Sequence, residues 1–186
     1  MITFHLGGSR SLPYSPIIDQ VVGASLAAGY SLHVGCAIGA DQQVIQSALI
    51  THPDRLHVFA AFTADGFGSW AGSAVSAVAA AVQYGARVSY LPRVDLCIPL
   101  AGRLMARSRS ALFGCNASAF FLATPGSTGS LAVAAAAVRV GQPVFAFSLG
   151  FSGHPAAPRG CIGRWIPVSF MGSSAWRWIP AQSKFF

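Results

Sequence analysis

The chain has 186 residues, of which 53% are hydrophobic and 9% are charged. This length is typical of one compact domain, and the apolar composition excludes an intrinsically disordered protein. Basic side chains exceed acidic ones by seven, and all five acids are Asp. The excess favours an anionic ligand, although a compositional bias towards Ala, Gly and Arg explains it equally well. The lack of Glu leaves Asp as the only carboxylate for acid/base chemistry.

Short apolar runs alternate with longer, Ala-rich stretches, and Gly or Pro stands at most of their junctions. In chain order we predict a strand at residues 2–6, a helix at 16–28, a strand at 31–35, a helix at 40–49, a strand at 56–61, a helix at 69–83, a strand at 87–91, a helix at 100–113, a strand at 118–123, a helix at 128–140 and a strand at 143–147. Strand 118–123 lacks polar alternation, which is typical of parallel strands covered on both faces. The sequence therefore predicts an α/β fold, with a Rossmann-like, doubly wound and mainly parallel sheet flanked by helices.

After residue 147 the composition changes to Gly, Pro, Arg and Trp. We predict that residues 151–186 form a C-terminal extension that packs on the core, adds an edge strand or lines a dimer interface, because exposed Trp165, Trp176 and Trp178 would be costly. We find neither an export signal nor an apolar stretch of membrane-spanning length, so we expect a cytoplasmic protein without a membrane partner. The low charge favours a homo-oligomer.

Three turns that follow predicted strands are rich in Gly. They are residues 7–10 (Gly-Gly-Ser-Arg), residues 35–41 (Gly-Cys-Ala-Ile-Gly-Ala-Asp) and residues 125–130 (Pro-Gly-Ser-Thr-Gly-Ser). Gly lets the backbone approach a ligand closely, and the helix that follows turns its free N–H groups towards an anion. Tight turn geometry alone explains any one of these turns, but three on one edge of a sheet predict a phosphate site.

Arg and Asp supply the charged candidates. Arg10 follows the first Gly-rich turn, and a guanidinium binds phosphate through two parallel hydrogen bonds. Arg103 and Arg107 share one face of the fourth predicted helix while Arg109 points elsewhere, and a solvated basic face is the alternative for this helix. Asp41 opens the second helix, where a carboxylate caps the helix, holds a ribose hydroxyl or acts as a base.

The sequence gives little support for a metal site, a serine nucleophile or an NTPase phosphate loop. Five His and four Cys lie without metal-ligand spacing, so we interpret the His as structural and expect no metal. The sequence contains neither the GxSxG nucleophile turn nor the GxxxxGK[ST] phosphate loop.

The ordered set of these motifs resembles the SLOG superfamily of Rossmann-like proteins, which includes the DNA-processing protein DprA, the Lonely Guy phosphoribohydrolases and YpsA-related proteins. The resemblance covers most of residues 2–148 and uses the three Gly-rich turns and the Arg-Ser-Arg-Ser segment at residues 107–110. The YpsA-like order is the nearest: a Gly-x-Arg start, a Gly-x-Gly-Ala-Asp turn, an Arg-rich segment and a Pro-Gly-rich turn. It implies that residues 1–150 form a nucleotide-binding domain, and it also suggests dimers.

The hydrolase branch of this superfamily carries Pro-Gly-Gly-x-Gly-Thr-x-x-Glu, whose Glu supports cleavage between base and ribose phosphate. Aligned on this chain, Ser127 replaces the second Gly, Ser130 replaces the Thr and Val133 replaces the Glu. The phosphate turn is therefore retained while the catalytic carboxylate is absent, and Asp41 or Asp65 would have to replace it.

Three functions follow. The first is a binding or sensing protein that holds a nucleotide or nucleotide-derived phosphate ligand, which we favour over an enzyme because of Val133. The second is a phosphoribohydrolase-like or transferase enzyme acting on nucleoside monophosphates, with Asp41 as the working carboxylate. The third is DprA-like binding of single-stranded DNA, which the net charge and the Arg-rich helix suggest. A purely structural role is the remaining alternative.

We expect no cofactor apart from a nucleotide-type ligand. The candidate ligand-binding residues are Gly8, Ser9, Arg10, Gly39, Asp41, Arg107, Arg109, Gly126, Ser127, Thr128, Gly129 and Ser130.

Overall fold

The computed structural model describes residues 1–181, apart from the side chain of Val94, so residues 182–186 of the predicted extension lie outside the described residues. The strands are β1 (Thr3–Gly8), β2 (Ser31–Gly35), β3 (Leu56–Phe59), β4 (Arg87–Ser89), β5 (Ala117–Leu122), β6 (Val144–Ser148), β7 (Gly163–Phe170) and β8 (Ser173–Pro180). The helices are α1 (Pro16–Ala27), α2 (Ala40–Thr51), α3 (Gly72–Gln83), α4 (Leu100–Leu112) and α5 (Thr128–Arg139), with short 3₁₀ turns at Pro53–Arg55 and Arg93–Cys97.

The eight strands form one sheet in the order β4-β3-β2-β1-β5-β6-β8-β7. Strands β1 to β6 pair in parallel, whereas β8 pairs antiparallel with both β6 and β7. The chain moves outward from β1 to β4 and then returns to β5 on the other side of β1. The strand order therefore reverses between β1 and β5, and ligands of open α/β sheets bind outside the carboxyl ends of the strands at such a reversal. The predicted Rossmann-like, mainly parallel α/β fold is confirmed.

Helices cover both faces of the parallel part of the sheet. Phe4, Leu6 and Phe121 point to one face and belong to a core shared with α1, α2 and α3. Phe120 and Leu122 point to the opposite face and pack with α4 and α5. All six residues of β5 are buried, because this strand lies between two covered faces.

The extension after residue 150 adds a hairpin to the edge of the same sheet. Met171 and Gly172 connect its two strands with φ angles of 51° and 76°. Positive φ at both central residues matches the twist of a two-residue hairpin. Trp165 and Trp178 are buried against the α5 side of the sheet, with ring centroids 5.2 Å apart. The described residues of the extension therefore add strands to the sheet edge and also pack on the core, whereas the dimer interface and a domain division at residue 150 stay predictions.

Most elements differ from the predicted bounds by one to three residues, and hydrogen bonds account for two of these differences. Strand β1 continues two residues beyond its predicted end, because Gly7 and Gly8 pair with Phe120 and Phe121 of β5. Helix α3 begins three residues late, and the Ser69 hydroxyl donates to the carbonyl of residue 71 in the turn that precedes it. None of the helices within residues 1–181 has both the length and the apolar character needed to span a bilayer.

We expect Phe121→Ala to lower the free energy of unfolding by about 3–5 kcal/mol, because it removes a fully buried ring and leaves a cavity between β1 and β6. Phe113→Ala is the matched control, since Phe113 is 86% exposed. Its effect should stay within about 0.5 kcal/mol. Urea unfolding followed by circular dichroism measures both variants, and equal losses would contradict the assignment of the core.

Candidate functional site

A cavity of about 540 Å³ opens at the carboxyl ends of β1 and β5, where the strand order reverses. Residues from all three Gly-rich turns line it, including Arg10, Asp41 and Ser127, which are far apart in the sequence. Its volume lies in the range of about 300–1,000 Å³ that is usual for small-molecule sites. The fold therefore brings the three turns together at one place.

Glycine permits the close approach of these turns. A Cβ on Gly8 would lie 2.3 Å from the carbonyl oxygen of Phe121 and 2.7 Å from the Cβ of Ala40. Gly39 precedes α2 with φ of 78°, and its Cβ would lie 2.6 Å from the carbonyl oxygens of both Ser9 and Arg10. Both positions therefore require Gly for reasons of packing, whether or not a ligand binds.

Ser9 connects the three turns through hydrogen bonds. Its backbone N–H donates to the Phe121 carbonyl at 2.8 Å, and its own carbonyl accepts the Ala40 N–H at 3.2 Å. Its hydroxyl accepts the Ala123 N–H at 3.0 Å and lies 2.8 Å from the hydroxyl of Ser127. A residue predicted to contact a ligand thus also fixes the spacing of the turns around the cavity.

The first turn of α5 keeps its N–H groups free of a side-chain cap. Ser127 is the N-cap residue, but its hydroxyl donates to the Thr124 carbonyl at 2.9 Å and makes no cap hydrogen bond. Gly126, Thr128 and Gly129 line the cavity, and this turn is largely exposed. The uncapped N–H groups and the positive end of the helix dipole therefore face a solvent-accessible space that suits an anion.

The first turn of α2 carries a negative charge of the protein's own. Asp41 lies in its first turn, and the Oδ2 of Asp41 accepts the Ala37 N–H at 3.1 Å and the Arg107 Nη1 at 2.8 Å. Both side chains of the Asp41–Arg107 pair are only 6% exposed. The carboxylate makes no cap hydrogen bond to α2, but its charge in the first turn already complements the helix dipole, so α5 is the better place for an anion.

Gly35 provides the space for this ion pair. A Cβ on Gly35 would lie 1.0 Å from the Nη1 of Arg107 and 2.5 Å from the Oδ2 of Asp41. The guanidinium therefore lies directly on the end of β2, where any other side chain would displace it.

The arginines of α4 have different roles. Arg103 Nη1 donates to the carbonyls of Ala61 at 3.2 Å and Gly68 at 2.8 Å, so Arg103 and Arg107 both point into the protein. The alternative of a solvated basic face is wrong for these two side chains. Arg109 is exposed and does not line the cavity, whereas the exposed Arg10 lies at its rim. The roles of Arg10, Arg107 and Arg109 in ligand binding stay predictions.

The apolar wall of the cavity and the histidine in its floor were not predicted from the sequence. Leu104 and Met105 of α4, Phe120 of β5 and Val133 of α5 form the apolar wall. His5 lies below them in β1, 3% exposed. A single His in a buried strand gives no signal of a site, but its spacing of two from Gly7 places both on the same face of the sheet.

Three histidines lie side by side on adjacent strands. His5 pairs in register with His33, and His33 with His57. Burial lowers the pKa of His5 to about 3 and that of His57 to about 4, with further lowering of the His5 pKa by the positive charge of Arg107. His33 Nδ1 lies 3.0 Å from the Ala111 carbonyl, and His57 Nε2 lies 2.8 Å from the Ser89 hydroxyl. Across residues 1–181, no group of three or more His, Cys, Asp or Glu side chains is arranged to hold a metal ion.

The cavity therefore combines two chemical environments. Its rim carries hydroxyl groups and the open helix terminus of α5, which suit an anion. Its interior has an apolar wall and a floor formed by neutral His5 and the Asp41–Arg107 pair. This arrangement suits a small ligand that has both an anionic end and a less polar part.

Comparisons with known proteins give a match in structure only. No protein-family model and no curated protein matches the chain significantly. Among solved structures, the chain is similar to DNA processing protein A from Helicobacter pylori, with a TM-score of 0.63 and 16% sequence identity over 83% of this chain and 68% of that chain. That structure was described for its single-stranded DNA binding mode. At this identity the likeness shows the shared α/β fold.

We expect Arg107→Met to destabilise the protein by about 3–5 kcal/mol, because it leaves the Asp41 carboxylate buried without its cation. The double variant Asp41→Asn/Arg107→Met should recover part of this loss, since no unpaired charge remains. Urea unfolding of wild type, both single variants and the double variant measures the coupling between the two sites. Additive losses would contradict a direct interaction.

We also expect acid to destabilise the protein through His5. Above about pH 6.5 the imidazole is neutral in both folded and unfolded chains. Below that pH the unfolded chain binds a proton that the folded protein excludes until its own pKa of about 3. Unfolding should therefore become easier as the pH falls through this window, by up to about 1.4 kcal/mol per pH unit from this group.

The measurement compares urea unfolding at about pH 7.5 and about pH 4.5 for wild type and His5→Phe. The variant should lose less stability between these pH values than wild type, because it has no proton to exclude at this position. An identical pH dependence in both proteins would show that His5 is protonated normally in the fold.

Proposed function

We propose that this protein is a remote member of the SLOG superfamily that binds a nucleotide or nucleotide-derived phosphate ligand as a binding or sensing protein. One observation carries the proposal: the three Gly-rich turns and the uncapped terminus of α5 surround a single cavity at the reversal of strand order. The motif order of the superfamily points to the same edge of the sheet, and the similar fold of DNA processing protein A is consistent with it.

The phosphate end of the ligand is assigned to the turn before α5. The backbone around Gly126 and Gly129 and the residues Thr128 and Ser130 line the cavity there. Arg10 at the rim supplies an exposed positive charge without a competing acidic partner among the described residues. Backbone N–H groups, hydroxyls and a guanidinium are the donors that phosphate oxygens accept.

The residue at the position of the hydrolase carboxylate favours binding without hydrolysis. Val133 lines the cavity at that position, and Asp41 is the one carboxylate among the described residues of the lining. The Oδ2 of Asp41 already binds Arg107 and the backbone of residue 37, which assigns this residue to positioning the floor. Release of free base from a nucleoside monophosphate, lost in Asp41→Asn, would instead support the phosphoribohydrolase.

Single-stranded DNA is the second candidate. The similarity to a structure described for its single-stranded DNA binding mode and the net charge of +7 favour it. Such binding depends on the release of counterions from the phosphate backbone, so the affinity for an oligonucleotide should fall steeply with salt. A monophosphate held in a cavity should depend on salt much less.

We expect Gly126→Asp to lower the affinity for nucleoside monophosphates at least about tenfold, because it places a negative charge beside the proposed phosphate seat. A Cβ at Gly126 meets nothing within 4 Å, so the substitution fits the fold. Gly126→Asn is the matched control with the same shape and no charge. Isothermal titration against the four ribonucleoside 5′-monophosphates measures all three proteins.

The same titrations with an oligothymidylate at low and high salt separate the two candidates. Tight, salt-dependent oligonucleotide binding with no monophosphate binding would replace the first candidate with the second. The absence of any binding at millimolar concentration, in wild type as well as in Gly126→Asp, would exclude the nucleotide proposal. An unchanged monophosphate affinity in Gly126→Asp would place the phosphate elsewhere.

A further inference from the structure

His5 is a buried polar residue that the packing of the protein does not explain. It lies in β1, is 3% exposed and lines the cavity, and its Nδ1 has no hydrogen-bond partner within the described residues. About 90% or more of buried polar groups in folded proteins have a partner, and leaving one without costs stability. A Phe or Leu at this position would pack beside Phe120 without that cost.

The geometry directs His5 towards a space without side chains. A Cβ on Gly7 would lie 3.2 Å from Cε1 and 3.4 Å from Nε2 of His5, and 3.5 Å from Oδ1 of Asp41, so Nε2 is the ring nitrogen beside this space, whereas Nδ1 is inaccessible. The imidazole and the carboxylate therefore approach the same point above the end of β1. Because Gly7 leaves this point open, both groups are close to whatever enters the cavity as far as its floor.

The floor offers hydrogen bonds but little net charge. Arg107 is neutralised by Asp41, although its Nε is also buried without a partner among the described residues. Burial keeps the pKa of His5 far below neutral pH, so the imidazole is uncharged there. A phosphate would gain more at the open terminus of α5, whereas an uncharged donor or acceptor matches the floor.

We infer that His5 is a specificity-determining residue whose imidazole hydrogen bonds an uncharged polar group of the ligand, such as the edge of a nucleobase or a sugar hydroxyl, while the phosphate lies at the α5 turn. The inference rests on the proposed function and names the part of the ligand that reaches the floor. The apolar wall of Leu104, Met105 and Phe120 packs against the body of that part. The ligand class is therefore a nucleoside monophosphate or a close relative rather than a free phosphate.

The experiment compares wild type with His5→Phe, His5→Asn and His5→Gln by isothermal titration. The probes are the four ribonucleoside 5′-monophosphates and inorganic phosphate. His5→Phe keeps a planar ring but removes both nitrogens, and should lower the affinity for the preferred monophosphate at least about tenfold. The affinity for inorganic phosphate should change by less than about twofold, because the imidazole does not contact the phosphate seat. Asn or Gln, which restores a polar atom near one ring nitrogen, should recover part of the loss.

Thermal unfolding at about pH 7.5 separates recognition from a structural role. Because Nδ1 has no protein partner among the described residues, His5→Phe should leave the melting temperature unchanged or raise it while it weakens monophosphate binding. If His5→Phe lowers the melting temperature and lowers the affinities for the monophosphate and for inorganic phosphate in proportion, His5 has a structural role and the inference is overturned.

Parallel titration of Gly126→Asp distinguishes a failure of the proposed function from a failure of the role assigned to His5. Monophosphate binding that depends on Gly126 but is equal in wild type and His5→Phe would overturn the role of His5 and leave the proposed function standing. If His5→Phe lowers the affinity for inorganic phosphate as much as the affinity for the monophosphate, the phosphate lies at the floor and the inference is overturned. If neither probe binds wild type, the proposed function and the inference fail together.

Discussion

The distance between the helix ends and the central strands determines the site, and glycine sets that distance. At Gly8 a Cβ would collide with the backbone of Phe121, and at Gly35 it would occupy the place of the Arg107 guanidinium. A larger residue at either position would force α2 or α4 away from the sheet. Gly8 ends β1, beside the reversal of strand order, and Gly35 ends the neighbouring strand β2, so the close approach needed for the fold also shapes the cavity that Gly8 lines.

The buried Asp41–Arg107 pair distributes charge around that cavity. Removing two charges from water is costly, and a hydrophobic pair of similar volume is often at least as stable. Here the pair joins the first turn of α2 to α4, and its carboxylate places a negative charge beside the positive end of the α2 dipole. Arg103 holds the neighbouring turn of α4 through the carbonyls of Ala61 and Gly68. The positive potential is thereby left at the α5 terminus and at Arg10.

Much of the fold could be predicted from the sequence, because alternating apolar runs and Ala-rich stretches allow few arrangements other than a parallel sheet with covering helices. The convergence of the Gly-rich turns was also predictable, since parallel strands present their carboxyl ends at one edge. The hairpin was not, because its turn is Met171-Gly172, whereas Asn-Gly or Asp-Gly is the usual signal. The pairing of Asp41 with Arg107 joins residues 66 positions apart, a separation about which local patterns say nothing.

The likeness in fold to DNA processing protein A does not by itself select a ligand, because one fold serves many functions. The residues that the fold requires can be separated from those that it does not. Gly8, Gly39 and Ser9 maintain the turns, and their loss would damage the structure of any protein built this way. His5 maintains no turn. It is buried, neutral and without a partner for Nδ1 among the described residues, and an apolar ring would fill its place. A ligand that hydrogen bonds at the floor accounts for the presence of His5, whereas binding of a phosphate at the rim alone does not.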